Sequence, residues 1–360
     1  MRAISAAILL TICVLLPVTA FATTRVDILN YGGDPSGGTY SDQAFKRALE
    51  AVKDGGVINI PEGTFRIKED MLISGSNIEI SGRGTIFIKD NGKADNTKIK
   101  ITGTHVKISG IRLTSDAAVR TGYYGLISAV NARELALTNL DISGSTVAIH
   151  TINTKGVVID RCWVHDTKAD GIHISRASED VIIENCLIER TGDDCIGLIS
   201  YDERGYGQSK RIIIRNNILR ESNGSTRGVA SSSSDVIIEN NVICGLPKAG
   251  IIIFRSVGIW RTHFPENVII RNNRIFDIGH GKMMDSFAGI CVNYCRNVDI
   301  YDNEIDEVWA DGVAVCYAAA GVKVHSNRIS DCRRGVYVVS RYEAAANEDA
   351  IAFLYAGSGN

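Results

Sequence analysis

From Val157 onward the chain repeats one phrase of apolar and polar positions: a short β-rich run, a polar turn often holding Asn, a second short run, then Gly and a third run. VVIDRCWVHDTKADGIHIS, VIIENCLIERTGDDCIGLIS, IIIRNNILRESNGSTRGVAS and VIIENNVICGLPKAGIIIF are successive copies. The series continues as VIIRNNRIFDIG with its third run FAGICV, then VDIYDNEIDEVWADGVAVC and VKVHSNRISDCRRGVYVVS. Val157, Val181, Ile212, Val236, Val268, Val298 and Val322 open the copies, at spacings of 24, 31, 24, 32, 30 and 24 residues. A unit of about 24 residues, with insertions of about six to eight, accounts for the whole series. Residues 106–115 and 135–143 follow the phrase more loosely.

Each unit offers three strands too short to bury a face alone, so the units must stack. Alternation points Val, Ile and Leu inward, while the coil above and below completes the backbone hydrogen bonds. Asn217, Asn241, Asn273, Asn303 and Asn327 fall in one column, continued by Cys162 and Cys186 in the two preceding coils. Stacked Asn side chains hydrogen-bond along the axis and hold such turns. The leucine signature of leucine-rich repeats is missing, and a propeller blade needs about 40 residues. The pattern predicts an all-β chain, a single right-handed parallel β-helix of three-strand coils. Ala44, Phe45, Ala48, Leu49 and Val52 make a helical stripe that predicts a cap over about 41–53, with Ser41 as N-cap. The segment Gly56 to Ile67 reads as the strand that follows, and the Ala-rich stretch at about 343–355 as a second cap.

Composition refines this picture. Arg2, the apolar run Ala6 to Val18 and Ala20-Phe21-Ala22 predict a secretory signal peptide over 1–22, cleaved before Thr23, and hence a secreted or periplasmic protein. With 39 basic and 41 acidic residues, the net charge of −2 gives no long-range attraction for nucleic acid or an anionic membrane. An acidic partner must therefore be met by local Arg and Lys. Eight cysteines remain beyond the leader, an even count that invites disulfides in an exported chain. The recurrence of Cys162 and Cys186 at the repeat period favours stacked free thiols instead. A single chain or a trimer fits the pattern.

Two coils carry the chemistry. Asp170-Gly171 and Asp194-Cys195 occupy one register 24 residues apart, Arg227-Gly228 follows in the third coil, and Asp193 precedes Asp194. Stacked strands lie about 4.8 Å apart, so three carboxylates and a guanidinium converge. Asp-Gly is also ordinary turn chemistry, and it recurs at Asp311-Gly312, far from this cluster. The insertions Tyr201 to Lys210 and Arg255 to Glu266 both follow a third strand and are expected to wall one groove. Tyr123, Tyr124, Tyr201, Tyr206, Trp163, Trp260 and Trp309 are candidate sugar-stacking residues.

KADGIHIS followed by TGDDCIGL resembles the active-site region of the polygalacturonase family, within the pectin-lyase-like superfamily of β-helix enzymes. The opening VDILNYGGDPSGGTYSDQAFKRALEAVKDGGVINIPEGTFRI is similar to the N-terminal segment shared by many of those enzymes. The resemblance implies an inverting glycoside hydrolase. Asp193 would act as acid, Asp170 and Asp194 would activate water, and acid and base would lie roughly 6.5–9.5 Å apart. The chain departs from the family pattern at several points. Lys168-Ala169 replaces Asn-Thr, Arg227-Gly228 replaces His-Gly, and GIIIF with Arg255 beyond it replaces Arg-x-Lys. Gly279-His280-Gly281 matches His-Gly only in a later coil. Arg227, Lys168, His173, Arg255 and Tyr201 are the expected substrate-binding residues, for an acidic polysaccharide and without a cofactor. Two other readings use the same cleft. In a Ca²⁺-dependent lyase or C5-epimerase, Asp170, Asp193 and Asp194 would hold the ion and Arg227 would be the base. In an adhesin- or tail-spike-like solenoid the face would only bind carbohydrate.

Overall fold

The computed structural model describes residues 24–338 apart from 97, 123, 203–204, 258–259 and 281–287. The expected leader, the C-terminal cap and Tyr123 lie outside the described residues. Among the described residues no helix is long and apolar enough to cross a membrane.

The strands stack as the repeat requires. First strands form a parallel sheet of 12, from Thr24–Asp27 to Lys323–His325. Second and third strands make the other two faces, joined where Glu304–Val315 passes through the corner unbroken. Val157, Val181, Ile212, Val236, Val268 and Val298 pair in turn. Unequal sequence spacings are thus one structural step. The longer steps of the repeat fall at residues 200–209 and 254–265, after a third strand, and at 279–289, between a second and a third strand.

The stack reaches further toward the N-terminus than the sequence repeat implies. Strands Gly56–Ile60, Ile78–Gly82, Thr104–Ser109 and Arg133–Thr138 precede Lys155–Asp160 on the same sheet. The segment Gly56 to Ile67 is two strands, Gly56–Ile60 and Thr64–Ile67. Pro61 has no amide hydrogen to extend a ladder. Gly63, at φ +134°, packs so closely that a Cβ there would lie 2.6 Å from Pro35 Cβ.

Inside, Ile159, Ile183, Ile214, Ile238, Ile270 and Ile300 form a fully buried file. Burial of each contributes about 2 kcal/mol. The Asn column takes the predicted form. The Asn217 amide N–H and Nδ2 both donate to Asn241 Oδ1 at 3.0 Å, and Nδ2 also reaches the Ile183 carbonyl at 3.0 Å. The same bonds repeat from Asn241 to Asn273, Asn273 to Asn303 and Asn303 to Asn327. The Cys186 amide donates to Asn217 Oδ1 at 2.9 Å, joining the cysteines to the ladder. The eight cysteines among the described residues are all free thiols. The cap helix spans Asp42–Ala51 and buries Ala44, Phe45 and Ala48. Ser41 precedes it, but its hydroxyl accepts from the Asp34 amide rather than from the helix.

Candidate active site

The third-strand face places the acidic residues. Ile172, Ile196 and Val229 pair across three coils. Asp170, Asp194 and Arg227 stand two residues before them, in one column. The backbone holds this register: the Gly171 amide donates to the Asp194 carbonyl at 2.9 Å and the Cys195 amide to the Arg227 carbonyl at 2.9 Å. Stacking also forbids side chains at the glycines. A Cβ on Gly228 would lie 2.4 Å from the Gly250 carbonyl oxygen.

The three carboxylates converge, with one oxygen of each of Asp170, Asp193 and Asp194 within 4.8 Å of the others. Each has its own cationic or polar partner. His173 Nδ1 and Asp170 Oδ2 share a short hydrogen bond, and Asp170 Oδ1 accepts from the Asp194 amide at 3.2 Å. Arg227 forks onto Asp194 at 2.6 and 3.0 Å. Arg120 reaches Asp193 at 2.9 Å, and Arg227 lies 3.8 Å from its other oxygen. Asp170 and Asp194 are buried, whereas the Asp193 side chain is 17% exposed and faces outward most.

Burial separates the two inner carboxyls. Desolvation pushes Asp194 up to about 7, with the Asp193 and Asp170 charges adding and Arg227 opposing. Desolvation also raises Asp170, but the His173 hydrogen bond and the charges of His173, Arg120 and Arg227 outweigh it, and the net direction is down. Burial and the Arg227 charge lower Lys248, which feels Asp193 and Asp194 from two coils on. Asp194 therefore keeps its proton up to about pH 7.

The fit to Ca²⁺ is poor. Five of the six carboxylate oxygens already accept hydrogen bonds, and the sixth faces Arg227. Ca²⁺ asks for about six to eight oxygen ligands, and three guanidinium or imidazole groups already occupy this shell. The wide gap expected between acid and base is also not what the cluster presents, because stacking at the coil spacing brings the oxygens within 4.8 Å. The inversion expected from the sequence loses its geometric support.

Other expected residues divide. Tyr201 stacks with His173 at 6.1 Å and meets Trp260 edge-on at 6.2 Å, while Arg176 lies over Tyr201 and Tyr206. The two insertions join through the Tyr201–Thr262 bridge and the Asp202 amide to Arg261 carbonyl bond. Lys168 lies half-buried on the turn before Asp170. Arg255 does not join the cluster, since its Nε binds the Thr262 carbonyl within its own loop. Phe254 instead packs under the Arg227 guanidinium at 5.8 Å. His280 pairs with Asp277 in a later coil. Asp311 lies in the same column, three coils past Arg227, and Arg334 forks onto it at 2.6 and 2.8 Å. A stacked Asp–Arg fork is thus a recurrent device of this column, and the features particular to the cluster are Asp193, Arg120 and the Asp170–His173 pair.

Three neighbours escaped the sequence reading. Arg120 comes from an irregular turn 73 residues before Asp193. His150 pairs in register with His173, ring to ring at 4.8 Å. Lys248 holds the register of Asp193 two coils on, which aligning KAG with DDC could have revealed.

These features define the class: a right-handed parallel β-helix with a carboxylate cluster on its third-strand face. The chain belongs to the right-handed β-helix family, whose description "Right handed beta helix region" matches residues 62–260 and 206–350. No curated protein matches it. It is similar in structure to the A-module of the Azotobacter vinelandii mannuronan C-5 epimerase AlgE6, with TM-score 0.65 and 16% identity over 88% of this chain and 96% of that one. The Yersinia enterocolitica Family 28 exopolygalacturonase gives TM-score 0.64 and 14% identity over 87% and 78%. The Streptococcus pneumoniae surface adhesin PfbA gives 0.62 and 15% over 88% and 93%. At such identities the likeness is one of fold.

Proposed function

We propose that this chain is a glycoside hydrolase acting on an acidic polysaccharide, with Asp193 passing the proton held on Asp194 to the leaving oxygen and Asp170 taking the proton of the attacking water. The observation that carries the reading is the cluster itself: three converging carboxylates, two of them buried, of which Asp194 keeps its proton up to about pH 7. Buried like charges are costly to keep for structure alone and suit acid–base work. Asp193 is the exposed exit for that proton, and Arg120 can turn from Asp193 to a uronate or sulfate group of the substrate. The lyase reading is weaker. Arg227 is locked in a fork, a guanidinium does not give up its proton in proteins, and the shell leaves little room for Ca²⁺.

The test is digestion of acidic polysaccharides with and without EDTA, following reducing ends and the absorbance of unsaturated uronates. Reducing ends without absorbance, unchanged by EDTA, support hydrolysis; absorbance that needs Ca²⁺ would replace it with elimination. Silence across the panel would leave carbohydrate binding. The anomer first released, read by proton NMR, assigns the stereochemistry.

A pH profile is expected to follow from the cluster. The proton is held below about pH 7 and Asp170 stays ionised well into the acid range. The rate should therefore plateau on the acid side of neutrality and fall about tenfold per pH unit above pH 7. Linkage gives the matching stability effect. Between about pH 4 and 7 the folded chain keeps a proton that the unfolded chain has lost, so this contribution to stability declines as pH rises through that window. Initial rates and melting temperatures from pH 4 to 9 check both.

Arg120→Ala is expected to raise KM for an acidic substrate about tenfold with a smaller change in kcat, because a lost charge-assisted contact is worth about 1.5–3 kcal/mol. An unchanged KM would remove Arg120 from substrate binding.

A further inference from the structure

The second-strand face carries a groove of its own, away from the carboxylate cluster. It encloses about 440 Å³ and is open to solvent. Its floor is two rows of residues paired coil to coil: Arg112, Asp141 and Trp163 in one, Thr114, Ser143 and His165 in the other. Neighbours fix each polar group. Arg112 Nε donates to Asp141 Oδ2 at 2.7 Å, and His165 Nε2 lies 3.0 Å from Asp141 Oδ1. The Trp163 indole N–H donates to Glu189 at 3.1 Å, and the ring stacks on His165 at 4.0 Å and 23°. Trp163 nevertheless remains 38% exposed. At the opposite end Phe87 lines the groove, with the Arg66 guanidinium over its ring at 5.6 Å.

This combination selects its ligand by chemistry. An indole held rigid on one side offers a flat apolar surface of low conformational cost. Beside it stand hydroxyls and a carboxylate–guanidinium pair of balanced charge. A sugar ring presents the matching set, an apolar C–H face and a rim of hydroxyls that both donate and accept. An apolar peptide would cut Arg112 and Asp141 off from water without replacing its hydrogen bonds. On the floor Arg112 and Asp141 cancel, so a polyanion would meet an uncancelled positive charge only at Arg66, at the far end. A site of several hundred Å³ with a few fixed polar groups is the usual form of a small-ligand pocket. We propose that this groove is a second, non-catalytic glycan-binding site that takes neutral sugar units, separate from the cleft at Asp193.

The test is affinity electrophoresis of the full chain through gels containing a neutral arabinogalactan or polygalacturonate. Wild type should be retarded in the neutral gel. Trp163→Ala should lose about tenfold in apparent affinity there, the scale of one aromatic contact. Trp163→Phe, which keeps a stacking ring but loses the indole bond to Glu189, should retain most of it; a purely structural role for that bond would make both variants alike. Asp193→Asn should bind the neutral gel as wild type does, so failure of the hydrolase reading and of this one are distinguishable. Unretarded wild type, or Trp163→Ala retarded like wild type, would overturn the proposal. If Trp163→Ala melts early, Thr114→Glu on the groove floor is read in its place, with the same loss expected and the same unchanged result decisive against it.

Discussion

Asp193→Asn is expected to lower release of reducing ends by about 10³-fold, within the range that a positioned proton donor supplies. The amide is close in size to the carboxyl, and its oxygen can still accept from Arg120, so the turn should keep its shape. What it cannot do is pass a proton to the leaving oxygen. KM should change little, because the interaction removed is made in the transition state. Thermal stability should stay within about 0.5 kcal/mol, the usual scale for a change at a partly exposed site. Asp170→Asn should also inactivate, through the water rather than the leaving group. An Asp193→Asn enzyme with more than a tenth of wild-type activity and an unchanged pH limb would remove Asp193 from the reaction, and with it the assignment of this cluster as an acid–base centre.

Asn241→Ala is expected to destabilise the fold by about 3 kcal/mol or more, because it leaves buried polar groups without partners at about 1–3 kcal/mol each. Asn241 Oδ1 serves both the Asn217 amide and Asn217 Nδ2, and Asn241 Nδ2 serves the Ile214 carbonyl and Asn273 Oδ1. The alanine fills none of these roles, and Asn217, Asn241 and Asn273, each 1% exposed, lie out of reach of bulk solvent. Urea unfolding followed by circular dichroism measures the loss. A change below about 1 kcal/mol would mean that the backbone carries the corner unaided. Asn327→Ala, at the less buried end of the ladder, should cost less.

Some physical signals travel through a chain better than others. The period, the inward Ile and Val and the Asn column were readable because each coil restates them at fixed offsets. Asp170, Asp194 and Arg227 could be aligned for the same reason. Asp311 fell in the same column unrecognised, because the intervening alanines, Ala249 and Ala288, carry no chemical mark and one coil bears its insertion at a different corner. Arg120 was hidden by the irregular turn that carries it. The sequence places Ser41 before the helix but not its bonding, since the competing Asp34 amide arrives from seven residues upstream. Periodic information survives in sequence, whereas contacts made by turns of variable length do not.

The corner ladder also restricts how such a chain can change in length. Every coil hands its hydrogen bonds to the next at fixed positions, so one residue gained or lost inside a strand or at the Asn corner would shift all inward side chains of that coil outward. Growth is therefore quantised: a lineage can duplicate or delete a whole coil, or extend the excursions at 200–209, 254–265 and 279–289, without disturbing the register around them. Two of those excursions border the acidic cluster. The segments free to drift in length are thus the ones that shape what reaches Asp193, while the residues that act on it stay fixed to the scaffold.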